Sequence, residues 1–171
     1  VTLAESIATQ LGMDKQPARR AAVLCKADLQ SRMVGEFPEL QGIAGRYYAL
    51  AAGETDVIAE AVDQAYQPRF GGDAIAVSKL GQIIAIAERL DTLAGGFVAG
   101  LKPTGNKDPF ALRRNALGLA RILLEGNFDL SLKDLLNKAI TLQPIQSVDA
   151  SIENLTDFTY DRLRSYFNEQ G

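Results

Sequence analysis

Apolar residues recur at intervals of three and four through almost the whole chain, and no stretch alternates apolar with polar residues as a half-buried strand requires. The expected fold class is therefore all-α. The spacing predicts helices over 2–12, 17–35, 39–52, 55–66, 76–95, 109–125, 131–140 and 150–168. Turn chemistry separates them. Pro17 suits a first helical turn, Phe37-Pro38 ends the second helix, PRFGGD (68–73) reads as a loop, and Gly95-Gly96 weakens the fifth helix. GLKPTGNKD (100–108) is the longest polar connection, and Pro144 interrupts the pattern before the last helix. That helix places Ile152, Leu155, Phe158, Leu163 and Phe167 on one broad apolar face. Exposed apolar surface there would mark a neighbouring domain or subunit.

A chain of 171 residues can bury one good core, or one core and the start of a second unit. A net charge of -3 and a pI near 5.0 give no global basic field, so any nucleic-acid contact must rest on a local patch. The absence of histidine excludes Ser/His/Asp and Cys/His catalysis and structural zinc within this chain. Two-carboxylate chemistry and carboxylate-bound magnesium stay open. The lone Cys25 has no disulfide partner and, beside Ala21, Ala22 and Leu24, reads as a small core residue. No apolar run approaches a membrane span and the N-terminus lacks the pattern of a signal peptide, so the expectation is a cytoplasmic protein with no membrane contact. The chain opens on Val1 rather than methionine, which points to a piece of something longer.

Two acids fall on apolar faces. Ala21, Cys25, Asp28 and Arg32 follow one another along the second predicted helix, and Leu80, Ile84, Ala87, Asp91 and Ala94 along the fifth. A buried carboxylate needs a cation, a metal or several donors. The choices are a metal site between helices, or acids satisfied by arginines or helix-end amides. Without histidine the second is favoured, and no metal is expected.

Four stretches then become specific: KADLQSRMVGEFPELQGIAGRYYA (26–49), QPRFGGD (67–73), AERLDTLAGGF (87–97) and PTGNKDPFALRRNALGLARILLE (103–125). Together they resemble the beta subunit of the bacterial two-subunit glycyl-tRNA synthetase, in order and over most of the chain. The resemblance implies an HD-like helical bundle, the fold of metal-dependent phosphohydrolases, with Ala27 and Asp28 standing where its histidine-aspartate pair would be and Asp91 at its later aspartate. The missing histidines imply a degenerate site. TDFTYDRLRSYF (156–167) is similar to the entry into the helical anticodon-binding domain. The implied division is an HD-like domain over 1–143, then a linker and the start of the anticodon-binding domain over 144–171.

By the same resemblance the whole enzyme attaches glycine to tRNA(Gly) using ATP and Mg at its alpha subunit. This chain carries no catalytic residue and no cofactor of its own, and its implied partners are the alpha subunit and tRNA. Nothing in it resembles an adenylate site or a phosphate-cradling glycine loop. The leading expectation is support or direct contact of tRNA. The alternative is a protein-interaction scaffold for the alpha subunit without RNA contact, and a residual phosphohydrolase stands behind both.

The candidate RNA contacts are Arg69, Phe70, Lys102, Lys107, Arg114 and Arg121. Arg69 and Phe70 could pair a phosphate contact with a stacking face, or Arg69 could pair with Asp73 while Phe70 anchors the loop. Tyr47 and Tyr48 could stack too, with at least one expected in the core. Asp108-Pro109 supplies a cap and a first helical position. Beyond it Arg113 shares a face with Leu117, Ala120 and Leu124 and is expected to turn inward toward Asp28 or Asp91. Arg114 and Arg121 lie on an adjacent stripe beside Gly118, open to RNA or another domain.

Overall fold

A computed structural model describes residues 1–103, 107–145 and 152–170. Every regular element among them is helical. The elements are α1 (Thr2–Gln10), α2 (Lys15–Leu24), α3 (Arg32–Glu36), α4 (Ile43–Ala51), α5 (Asp56–Gln64), α6 (Lys79–Val98), α7 (Leu112–Glu125), α8 (Leu132–Thr141) and α9 (Ile152–Gln170), with short 3-10 turns at Ala27–Gln30 and Pro38–Leu40. The chain forms two compact units, Val1–Ala87 and Glu88–Gly171. The division anticipated at 143/144 adjoins residues 146–151, which lie outside the described residues, as do Thr104, Gly105 and Asn106 of the long polar connection and the expected helix start at 150.

In the first unit α1 packs on α2, and α5 on both α2 and α4. Leu3, Ala4, Ile7 and Ala8 fill the inner stripe of α1, and Ala18, Ala21, Ala59 and Ala61 let the other helices approach closely. Side-chain oxygens close the helix starts: Asp14 accepts from the Gln16 amide at 2.9 Å, and Thr55 accepts from the Ile58 amide at 3.4 Å. The single second helix expected over 17–35 is not formed. Helix α2 ends at Leu24, Lys26 takes left-handed backbone geometry at φ 70°, and a 3-10 turn precedes α3. Ser31 begins α3 by accepting from the Val34 amide at 3.2 Å. Periodicity could not reveal this break, because no proline or glycine marks it.

In the second unit α7 and α8 both pack on α9. Leu90, Leu93, Leu112, Leu119, Ile122, Leu136 and Leu155 are fully enclosed. Phe97 and Phe158 meet edge to face with centroids 5.1 Å apart. Helix α6 continues through Gly95-Gly96, where a weakening was expected. A Cβ on Gly96 would lie 2.7 Å from Leu112 Cδ2, so the glycine serves close packing. The last helix is not left without a partner: Leu155 is enclosed, although Phe167 stays exposed.

Helix α7 begins at Leu112, three residues later than anticipated. Asp108 to Ala111 form a turn that ends with Ala111 in left-handed geometry at φ 56°. Asp108 still caps the helix, since its Oδ2 accepts from the Arg113 amide at 3.1 Å. Pro109 thus belongs to the turn rather than to the first helical position.

Candidate functional site

The two acids on apolar faces meet different fates. Asp28 is buried at 2% exposure in the 3-10 turn. Its Oδ2 accepts from the amides of Gly42 and Gly45, at 2.7 and 3.1 Å, and so closes the start of α4 from outside that helix. Gly45, where a Cβ would lie 3.2 Å from the Asp28 carboxylate, leaves room for that approach, while Gly42 at φ 81° lies against Tyr66, whose Cδ2 a Cβ would meet at 2.6 Å. Ala27 and Asp28 line a cavity of about 270 Å³ in this unit. Arg20 and Glu54, joined as an ion pair, also line it. That pair holds the Glu54 carboxyl below its ordinary range, first through the hydrogen bond from Arg20.

Asp91 belongs to the second unit and is exposed, accepting from Gln143 Nε2 at 3.2 Å. The core position expected for it is corrected. The enclosed neighbours on α6 are Leu90, Leu93 and Ala94, and one residue along a helix rotates a side chain by about 100°. Among the described residues no group of three or more Cys, Asp or Glu side chains is gathered so as to hold a metal ion.

Arg69 ties its loop to α5 and to the segment ahead of α4. Its guanidinium donates to Asp63 Oδ1 at 2.6 Å and to the Gln41 carbonyl at 2.8 Å, and it lies 5.2 Å from the centroid of the Tyr66 ring. Asp73 does pair with this residue, but through the Arg69 backbone amide at 2.7 Å. Phe70 is 67% exposed, so it does not anchor the loop. Tyr47 and Tyr48 are both exposed, against the expectation that one would be core.

The arginines of α7 exchange the roles expected of them. Arg113 folds back over the preceding loop and donates to the Lys107 carbonyl at 3.2 Å. The Asp28 and Asp91 carboxylates take the hydrogen bonds given above instead. Arg121 is buried at 8% exposure and grips Glu125 through Nε and Nη2, at 2.6 and 3.2 Å. Its pKa is raised, chiefly by that hydrogen bond, and Tyr166 on α9 adds its hydroxyl to Glu125 at 3.2 Å. The enclosed stripe is Leu112, Ala116, Leu119 and Ile122, so the face assigned from Arg113 was turned by one residue. Arg114, Lys102 and Lys107 are exposed.

Sequence reasoning passed over Arg89. It is enclosed on α6, its pKa is lowered to about 10 by burial, and it runs beside Gly118, where a Cβ would stand 2.6 Å from Arg89 Nε. The signal was legible in retrospect: Arg89 lies between Ile86 and Leu93 on the apolar face of α6.

A family model described as the glycyl-tRNA synthetase beta subunit matches residues 1–171. The chain belongs to that family. It is 60% identical to the glycine--tRNA ligase beta subunit of Xanthomonas campestris pv. campestris (strain B100), covering 99% of this chain and 25% of that protein. To the protein of the same description from Xylella fastidiosa (strain 9a5c) it is 50% identical over 100% of this chain and 28% of the relative. The corresponding figures for Janthinobacterium sp. (strain Marseille) are 48%, 99% and 24%. The chain thus spans about a quarter of the length of the curated relatives it matches.

Proposed function

We propose that this chain is a helical segment of a glycyl-tRNA synthetase beta subunit that supports tRNA binding and assembly while the complete enzyme attaches glycine to tRNA(Gly). The observation that carries this reading is the family match across residues 1–171. In this reading the chain is part of a cytoplasmic ligase, with ATP and Mg held at the alpha subunit, and contributes no catalytic group. The HD-like fold is part of the same proposal, with Asp28 turned from metal chemistry to closing a helix start. No described helix is long and apolar enough to cross a membrane.

The groups free to meet RNA are narrower than the sequence suggested. Phe70 in the first unit and Lys102, Lys107 and Arg114 in the second stay exposed, whereas Arg69 and Arg121 spend their guanidinium groups on Asp63 and Glu125. The test is the full-length subunit with the alpha subunit, comparing the parent with Lys102→Gln, Lys107→Gln and Arg114→Gln combined. Affinity for tRNA(Gly) should fall, and the slope of log K against log salt should flatten by about 2–3. Unchanged affinity and slope would remove the RNA face.

A second reading, a scaffold that holds the alpha subunit without RNA contact, draws on Leu29, Met33 and Phe37. These lie four apart and are all exposed. Replacing the three by serine should weaken association with the alpha subunit, as read by sedimentation, while the charge variants leave it intact.

A further inference from the structure

The loop at 67–73 in the first unit is fastened on both sides, yet it leaves its aromatic ring outside. The Arg69 guanidinium donates to Asp63 Oδ1 on α5 at 2.6 Å and to the Gln41 carbonyl ahead of α4 at 2.8 Å. Asp73 fixes the far side. Its Oδ2 accepts from the Arg69 amide at 2.7 Å, its Oδ1 accepts from the Ala74 amide at 3.0 Å, and its own amide donates to the Phe70 carbonyl at 3.1 Å. Pro68 is buried. The backbone of Phe70 is thus held from both directions while its side chain is 67% exposed.

A phenyl ring kept in water forgoes free energy that burial against a partner would return. The chemistry around the ring narrows that partner. Arg69 is turned to Asp63 and Gln41, and Asp73 to backbone amides, so the loop presents a ring face without a charge placed to grip a phosphate. The two residues after the ring, Gly71 and Gly72, are exposed and carry no side chain to crowd a flat group laid on it. A Cβ on either would meet nothing within 4 Å. An aromatic hot spot for a protein sits within a rim of contacting side chains, which two glycines do not supply. A planar nucleobase needs only an open ring face. Paired bases are stacked inside their helix, so the base belongs to an unpaired nucleotide in a loop, a bulge or an end.

We propose that Phe70 is a stacking platform for an unpaired nucleobase of tRNA, and that Arg69 is its positioning residue. The inference rests on the tRNA reading above and adds to it a contact that involves no charge. Arg69 touches no RNA. It holds the loop through Asp63 and Gln41, so the ring is already in place when the base arrives.

The experiment measures binding of tRNA(Gly) to the full-length subunit assembled with the alpha subunit, at several salt concentrations. Phe70→Leu should weaken binding about tenfold at each of them and leave the slope of log K against log salt unchanged, whereas Phe70→Trp should bind like the parent. Arg69→Gln should weaken binding to a similar extent, and adding Phe70→Leu to it should cost little more, because a ring on a loosened loop has little left to lose. Phe70→Leu, at an exposed position, decides the matter if Arg69→Gln fails to fold. Parent-like binding by Phe70→Leu, weakened binding by Phe70→Trp, a changed salt slope, or fully additive losses in the double variant would each overturn the proposal. So would a Phe70→Leu variant that loses association with the alpha subunit instead of tRNA, since the ring would then serve a protein interface. If Phe70→Leu binds like the parent while the combined Lys102, Lys107 and Arg114 variant is weakened, the stacking contact alone is lost. Parent-like binding by both removes the tRNA reading as well.

Discussion

Asp28 shows how much a single buried carboxylate can organise. Its Oδ2 satisfies two amides at the start of α4, so Asp28→Ala strands both and should destabilise the chain by about 2–3 kcal/mol in urea unfolding. Asp28→Asn should cost clearly less, because an amide oxygen still accepts from both. Glu54 illustrates a weaker kind of tie. Its carboxyl pKa is lowered, so the bond to Arg20 contributes fully above the ordinary value of 4.5 and is lost as pH falls through the lower folded value. The melting-temperature difference between the parent and Glu54→Gln should therefore be present at pH 7 and vanish on acidification below the ordinary carboxylate range. High salt should shrink it as well. That a buried Asp28 would need a cation, a metal or several donors was legible in the sequence, from its place beside Ala21 and Cys25. Which donors it takes was not, because the left-handed turn at Lys26 reorients the segment without any residue that announces it.

At the scale of elements, helices were recovered where several signals agree and displaced where only one was available. Helix α8 starts as expected because Ser131 accepts from the Asp134 amide at 3.2 Å in front of an apolar repeat. Helix α7 starts late because Asp108 caps it across an intervening turn, a geometry the pair Asp108-Pro109 does not distinguish from a direct start. On this helix Gly118 matters more than its neighbours. Gly118→Ala would gain helix propensity, yet its methyl group would press on Arg89, which is enclosed and has little room to retreat. The net effect expected is a loss of about 1–3 kcal/mol in chemical denaturation. Leu155 tests α9 in the opposite sense. It is fully enclosed, and Leu155→Ala should cost about 2–5 kcal/mol by leaving a void.

For the whole molecule, the all-α class followed directly from the repeat spacing, whereas the division into two units did not. Its boundary, between Ala87 and Glu88, falls inside the continuous helix α6. No change of composition accompanies it, so loops and prolines point elsewhere. The candidate contacts were legible only as a set of cations. Arg69, Arg113, Arg114 and Arg121 look alike in sequence, and partners close in space decide which of them are spent. Charge acts at this scale too. With a net charge of -3 the chain has no long-range attraction for RNA, so any affinity of this segment would rest on local exposed cations.

The tie from Asp28 to Gly42 and Gly45 spans only 14 and 17 residues. Closing so short a loop surrenders little chain entropy. The first half of the chain can therefore bring its buried acid and the α4 start together early, before more distant helices arrive. Short-range closures of this kind belong to helical proteins that fold quickly, so Asp28 is also placed to speed the assembly of its own unit.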